Sequence, residues 1–156
     1  MGPPLPADES PSGRTYHRPR ATRKALLAAA AAAGIAYAFL RWKPFRVEVA
    51  GMSMVPTLEP GDWAVAVSTR LVRPGAVVVI DDPRRPGFEI VKRVVATASS
   101  APDGTVLGPD ELWVEGDAPD ASTDSRTFGP VRREGVKGVV RFVYWPLGRW
   151  RPVRGG

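Results

Sequence analysis

The chain of 156 residues contains no cysteine and one histidine. Without thiols it can form neither a disulfide nor a Cys nucleophile, so stability must come from packing. The single imidazole, His17, lies in a polar segment ahead of the one long apolar run, which excludes a Ser-His-Asp triad in the folded part by count. Lysine is scarce as well. Lys24 and Lys43 flank the apolar run, Lys137 is near the C-terminus, and only Lys92 interrupts an apolar strand. Beyond residue 46 there is no net excess of either charge: residues 1–46 carry eight Lys/Arg against two acids, and residues 47–156 carry fourteen of each. The overall +6 therefore belongs to the flanks of the apolar run, and no nucleic-acid partner is expected. Within the second part, residues 132–156 hold seven Lys/Arg and one acid. Two readings of that basic end stand: a face for anionic headgroups, or a solvated strand and tail.

What is present is a serine in an unusual setting. A serine hydroxyl needs a base within hydrogen-bond reach to act as a nucleophile, and elimination leaves Lys92 as the base available to Ser53 in Gly51-Met52-Ser53-Met54-Val55-Pro56-Thr57-Leu58. Phe88 to Ala96 alternates as a strand, placing Lys92 on one face with Phe88, Ile90, Val94 and Ala96. The other face carries Glu89 and Arg93 with Val91 and Val95, and is the more solvated in this reading. Burial disfavours the charged form of a lysine. To serve as a base at neutral pH, Lys92 must lose roughly three units from a reference near 10.4, about 4 kcal/mol.

Three segments together carry a family resemblance. Gly51 to Leu58 closely resembles the serine box of the signal peptidase I family, the Ser-Lys endopeptidases that remove signal peptides at membranes. Lys92-Arg93-Val94-Val95-Ala96 resembles the box of its general-base lysine, and Gly116 to Gly129 resembles a third box. The resemblance implies Ser53 as nucleophile, Lys92 as general base, Ser122 as the hydroxyl that orients the amine, and Asp124 with Arg126 as an ion pair beside the site. Three departures stand out. Gly51 occupies a position where some members carry a serine that assists the oxyanion, which leaves the Ser53 N–H as donor. Ala118 replaces an asparagine of the third box, and Thr97-Ala98-Ser99-Ser100 replaces a Gly-Asp segment after the lysine. Met52, Met54, Val55 and Pro56 are expected to line an apolar substrate cleft.

Residues 25–40 form an uncharged run of sixteen with nine alanines. As a helix the run would be about 24 Å long, short of a hydrocarbon core of roughly 30 Å, and flanking Arg, Lys and Trp42 can make up the difference by snorkelling. The reading is a membrane anchor, single-pass in the cell membrane. Five Lys/Arg precede the run nearby and three follow it, a bias that places the catalytic domain outside the cytoplasm. A cleavable signal, with Ala36-Tyr37-Ala38 as its processing site, and a soluble or amphipathic helix are the rivals.

The expected organisation is a disordered basic tail (1–22), a hydrophobic helix (23–43), a barrel-like all-β peptidase domain (44–148) and a basic C-terminal tail (149–156). Strands are expected at Phe45–Val49, Trp63–Val67, Ala76–Ile80, Phe88–Ala96, Leu112–Gly116 and Gly135–Trp145. Asp117, Asp120 and Asp124 lack the spacing of a calcium loop, so neither metal nor cofactor is expected. The partners are then a precursor polypeptide and membrane lipid. Two subtypes fit, general signal-peptide removal and dedicated trimming of one precursor. The short domain and the Tyr144-Trp145-Pro146-Leu147 ending favour the second, resembling nickel-type superoxide dismutase maturation proteases. An inactive relative that binds hydrophobic peptides, and a self-cleaving Ser-Lys switch, are the alternatives.

Overall fold

A computed structural model describes Gly2 and residues 23–154 of the chain. The tail expected over residues 1–22, His17 included, otherwise lies outside the described residues. Two compact units divide after Ala36. Helix α1 runs over Arg23–Trp42, twenty residues of which none is buried. Alanine gives it the highest intrinsic propensity of any residue. It ends where Lys43 takes a φ of 40° and Pro44 follows, since proline can neither donate an amide nor continue the helical turn. By length and composition α1 is able to cross a membrane.

The remainder is mainly β. Its strands are β1 (Pro44–Glu48), β2 (Trp63–Val67), β3 (Val77–Asp81), β4 (Glu89–Thr97), β5 (Glu111–Glu115), β6 (Val131–Arg132), β7 (Val136–Trp145) and β8 (Arg151–Pro152). They form one eight-stranded sheet in the order β1-β2-β7-β3-β4-β5-β6, with β8 added to β7. Each pairing is antiparallel. The last long strand therefore enters the middle of the sheet, between β2 and β3.

The apolar residues of β3 explain the sheet's two-sided packing. Val77 and Val79 point into one core with Met54, Leu58, Ala64, Ala66 and Val140, while Val78 and Ile80 point into another with Val94, Leu112, Val114 and Val139. A strand covered on both faces reads as a continuous apolar run rather than an alternation, as the sequence of β3 does. A third, smaller cluster joins Ala96, Ala101, Leu107 and Trp113 under the short hairpin that follows β4.

Two features depart from the sequence expectation. Phe88 precedes β4 and is exposed, because the turn closing the β3–β4 hairpin ends there: Asp82 N–H donates to the Phe88 carbonyl. The face shared with Lys92 thus starts at Ile90. Residues 149–154 are no loose tail, since β8 pairs with β7 and Val153 is packed in the first core.

At Gly138, β7 packs tightly against β2 and β1. A Cβ there would lie 2.5 Å from the Val67 carbonyl oxygen and 2.7 Å from the Phe45 ring. Gly138→Ala is expected to destabilise the domain by about 1–3 kcal/mol, the range for an overpacked core position. Gly135→Ala, with nothing near its Cβ, should be close to neutral. Chemical denaturation of the two variants checks the contrast.

Candidate active site

The loop between β1 and β2 carries Ser53 and is pinned from inside. Val49 N–H donates to the Asp62 carbonyl and Gly61 N–H to the Val49 carbonyl, closing its neck. Between these bonds the chain makes a helical turn, Val55 N–H to Met52 and Leu58 N–H to Met54, which drives Met54 and Leu58 into the core. Ser53 is left partly exposed at the loop's outer edge.

Opposite it, alternation along β4 buries Lys92, Val94 and Ala96 together. Lys92 is only 4% exposed, yet its Nζ lies 2.8 Å from Ser53 Oγ. Burial pulls the lysine pKa below its ordinary value. The charges of Asp124 and Asp82 oppose that shift, those of Arg84 and Arg126 reinforce it, and the balance stays downward. The amine is thus biased toward the neutral form, whose lone pair can accept a hydroxyl proton.

The third segment supplies the floor. After β5, Gly116 N–H donates to Asp124 Oδ2 at 2.9 Å, and Ala118 N–H donates to the Ser53 carbonyl at 3.0 Å. Asp124 is fully buried and caps helix α2 (Ser125–Phe128). Arg126 grips it in two-pronged fashion, Nε to Oδ1 at 2.9 Å and Nη2 to Oδ2 at 2.6 Å. Burial alone would raise the Asp124 pKa. Hydrogen bonds from Arg126, Ser122 and the Gly116 amide outweigh it and hold the carboxyl well below the usual carboxylate range. A Cβ on Gly116 would lie 2.3 Å from Ser122 Oγ and 2.5 Å from the Ser53 carbonyl oxygen, so only glycine lets the two segments approach this closely.

The residues named from the sequence separate into groups. Ser53 and Lys92 meet, and Asp124 pairs with Arg126. Ser122 Oγ donates to Asp124 Oδ2 at 2.6 Å and makes no hydrogen bond to the lysine amine among the described residues, and Asp124 acts on Lys92 through its charge. Met52 is 62% exposed, Pro56 is exposed and Val55 partly so, but Met54 is 1% exposed and belongs to the core, not to a cleft. The Ser53 N–H has no acceptor among the described residues and remains available as a donor.

One group was not legible. Arg93, assigned to a solvated face, donates to Asp117 through Nε and Nη2, both at 2.7 Å, to the Gly75 carbonyl at 2.7 Å and to Thr57 Oγ1 at 3.0 Å. It joins β4, the third segment and the serine loop. Burial alone would raise the Asp117 pKa, and hydrogen bonds from Arg93 and Thr57 hold it below the ordinary value. The sequence signal was the basic residue directly after Lys92 and the acid directly after Gly116, but spacing alone does not pair them.

The geometry is that of a serine hydroxyl with a buried amine as its neighbour, set in an antiparallel β domain. The family model for signal peptidase, peptidase S26, matches residues 20–101 and 97–145, and the chain belongs to that family. It is 31% identical over 120 residues to mitochondrial inner membrane protease subunit 1 of Xenopus tropicalis, covering 67% of this chain and 71% of the relative. Mitochondrial ATP-independent inner membrane protease subunit 1b of Arabidopsis thaliana is 34% identical over 120 residues (66% and 71%). Mitochondrial inner membrane protease subunit 2 of Mus musculus is 30% identical over 135 residues (75% and 76%).

A buried lysine costs stability whatever it does for chemistry. With its folded pKa below its unfolded value, the unfolded chain binds more protons between the two, so stability rises with pH across that window toward about 10.4. Lys92→Met is expected to raise the melting temperature of the detergent-solubilised protein at pH 7, with the advantage shrinking as pH approaches 10. A melting temperature lowered by Lys92→Met at neutral pH would contradict the burial account.

Proposed function

We propose that this chain is a membrane-anchored serine endopeptidase with a Ser53–Lys92 dyad that removes an N-terminal segment from precursor proteins. The 2.8 Å approach of a buried amine to Ser53 Oγ carries the reading. Neutral Lys92 takes the Ser53 hydroxyl proton as Oγ attacks the scissile carbonyl carbon. The tetrahedral oxyanion is stabilised by the Ser53 N–H, an assignment supported by the free state of that amide. Lys92 then returns the proton to the leaving amine, and the C–N bond breaks to leave an ester on Ser53. Water, deprotonated by the same amine, hydrolyses the ester. Asp124, held as an anion by Arg126, and Ser122 fix the floor beneath the lysine.

Membership of the signal peptidase family and the protease names of its relatives support cleavage of polypeptides. The apolar helix α1, with inner membrane proteases among the relatives, supports action at a membrane surface. In this reading the chain crosses the cell membrane once and its catalytic domain faces away from the cytoplasm, as the distribution of Lys/Arg around α1 favours. The substrate presents small side chains before the scissile bond and lies extended along a sheet edge. A dedicated maturation role, of the nickel-type superoxide dismutase kind, is favoured by the small hairpin after β4, where Ser100 and Val106 bridge within a few residues of the lysine strand.

Ser53→Ala and Lys92→Met are each expected to abolish cleavage while leaving the protein folded. In the wild type, kcat/KM should rise with pH through the lowered lysine pKa, because the reactive form is the neutral amine. Accumulation of uncleaved precursors in cells lacking the protein checks the reading, one species for a dedicated protease and many for a general one. Processing that survives either substitution would overturn the dyad.

A further inference from the structure

The C-terminal segment was set apart by composition as a basic tail, and its arginines converge on the loop that holds Ser53. From β7 the chain turns through a 3-10 helical turn, Leu147–Arg149, into β8, and Val153 N–H donates to the Arg141 carbonyl. Trp150 packs edge-to-face on Phe142, ring centres 4.6 Å apart, and Val153 enters the core beside Met54 and Leu58. The segment is thereby fixed at its base.

Its polar groups then reach outward at successive points of the serine loop. Arg149 forks onto Asp62, Nε to Oδ1 at 2.8 Å and Nη2 to Oδ2 at 3.2 Å, and also pairs with Glu59. Asp62 in turn accepts from the Glu59 N–H at 3.0 Å. Arg151 Nη2 donates to the Thr57 carbonyl. The Arg154 carbonyl accepts from Arg93 Nη1 at 3.4 Å, while Arg93 Nη2 holds the Thr57 hydroxyl. Thr57 is therefore held by its carbonyl from the strap and by its hydroxyl from β4, the strand that carries Lys92.

We propose that residues 147–154 form a strap that positions Ser53, with Arg149 and Arg151 holding the downstream half of its loop so that Oγ stays within reach of the Lys92 amine. Neither arginine is among the hydrogen-bond partners of Ser53 or Lys92. Both act through the loop and are positioning residues. The Asp62 side chain is 1% exposed, and Arg149 supplies its counter-charge. Removing Arg149 would leave that carboxylate buried without its cation, which favours opening of the loop neck. A loosened loop costs turnover more than substrate binding, because small misplacements of a reacting atom have large effects on rate.

The proposal rests on the Ser53–Lys92 dyad for its kinetic consequence, and the experiment separates the two. Steady-state cleavage of a precursor-derived peptide is measured for the wild type, Ser53→Ala, Arg151→Gln, Arg151→Lys and Arg149→Lys, alongside hydrogen exchange of the intact protein. Arg151→Gln is expected to lower kcat about tenfold with KM changed less than about twofold, and Arg151→Lys, which keeps a donor for the Thr57 carbonyl, to recover most of it. Arg149→Lys, a milder change that keeps a cation at Asp62, should lower kcat about threefold with the same selectivity. The Val55 and Leu58 amides should exchange faster in these variants while those of Val79 and Val114 stay protected. Unchanged kcat, or unchanged exchange at Val55 and Leu58, overturns the strap. If the wild type shows no Ser53-dependent cleavage, the dyad fails, and exchange alone decides the strap.

Discussion

Lys92 Nζ approaches Ser53 Oγ to 2.8 Å from a side chain that is only 4% exposed, and burial of such an amine disfavours its charged form. Much of the surrounding structure serves to maintain that burial and that distance. Val94 and Ala96 continue the buried face of β4, and β3 pairs alongside the strand, with Val78 opposite Lys92 in register. Met54 and Leu58 anchor the serine loop from below. Because Ser53 and Lys92 come from different parts of the chain, their contact depends on long-range sheet pairing rather than on any local motif.

A buried amine also raises an electrostatic problem, since nearby carboxylates would restore its proton. Asp124 is the strongest such influence, and its effect is moderated by how completely its charge is used. Arg126, Ser122 and the Gly116 amide all bond to it. Asp82, the other carboxylate that acts on Lys92, is occupied by Arg84 and Arg85. Each acid near the lysine is thus compensated by arginine, and desolvation remains the dominant influence on the amine. The same device recurs at Asp117 with Arg93 and at Asp62 with Arg149, so partly buried acid–arginine pairs bracket the serine loop.

Much of this was readable from residue order. Strict alternation in Phe45 to Val49 and the unbroken apolar run at Ala76 to Ile80 correspond to one-sided and two-sided strands, and scarcity of alternative bases singled out Lys92. Where reading failed, the cause was tertiary. Met54 and Met52 look alike along the chain, and only the helical turn between them decides which one enters the core. Two-residue strands such as Val131–Arg132 and Arg151–Pro152 carry no periodicity to detect. Residues 149–154 look like a solvated tail because their arginines pair with acids remote in sequence, and Arg93 looks solvent-facing for the same reason.

The charge state of one nitrogen is therefore what the account stands on. Selective carbon labelling of the lysine side chains, with Lys92 assigned by comparison with Lys92→Met and followed by NMR across pH in the intact protein, measures it directly. The account predicts a Lys92 midpoint below the ordinary lysine value of about 10.4. A Lys92 midpoint at or above the ordinary lysine value would contradict it.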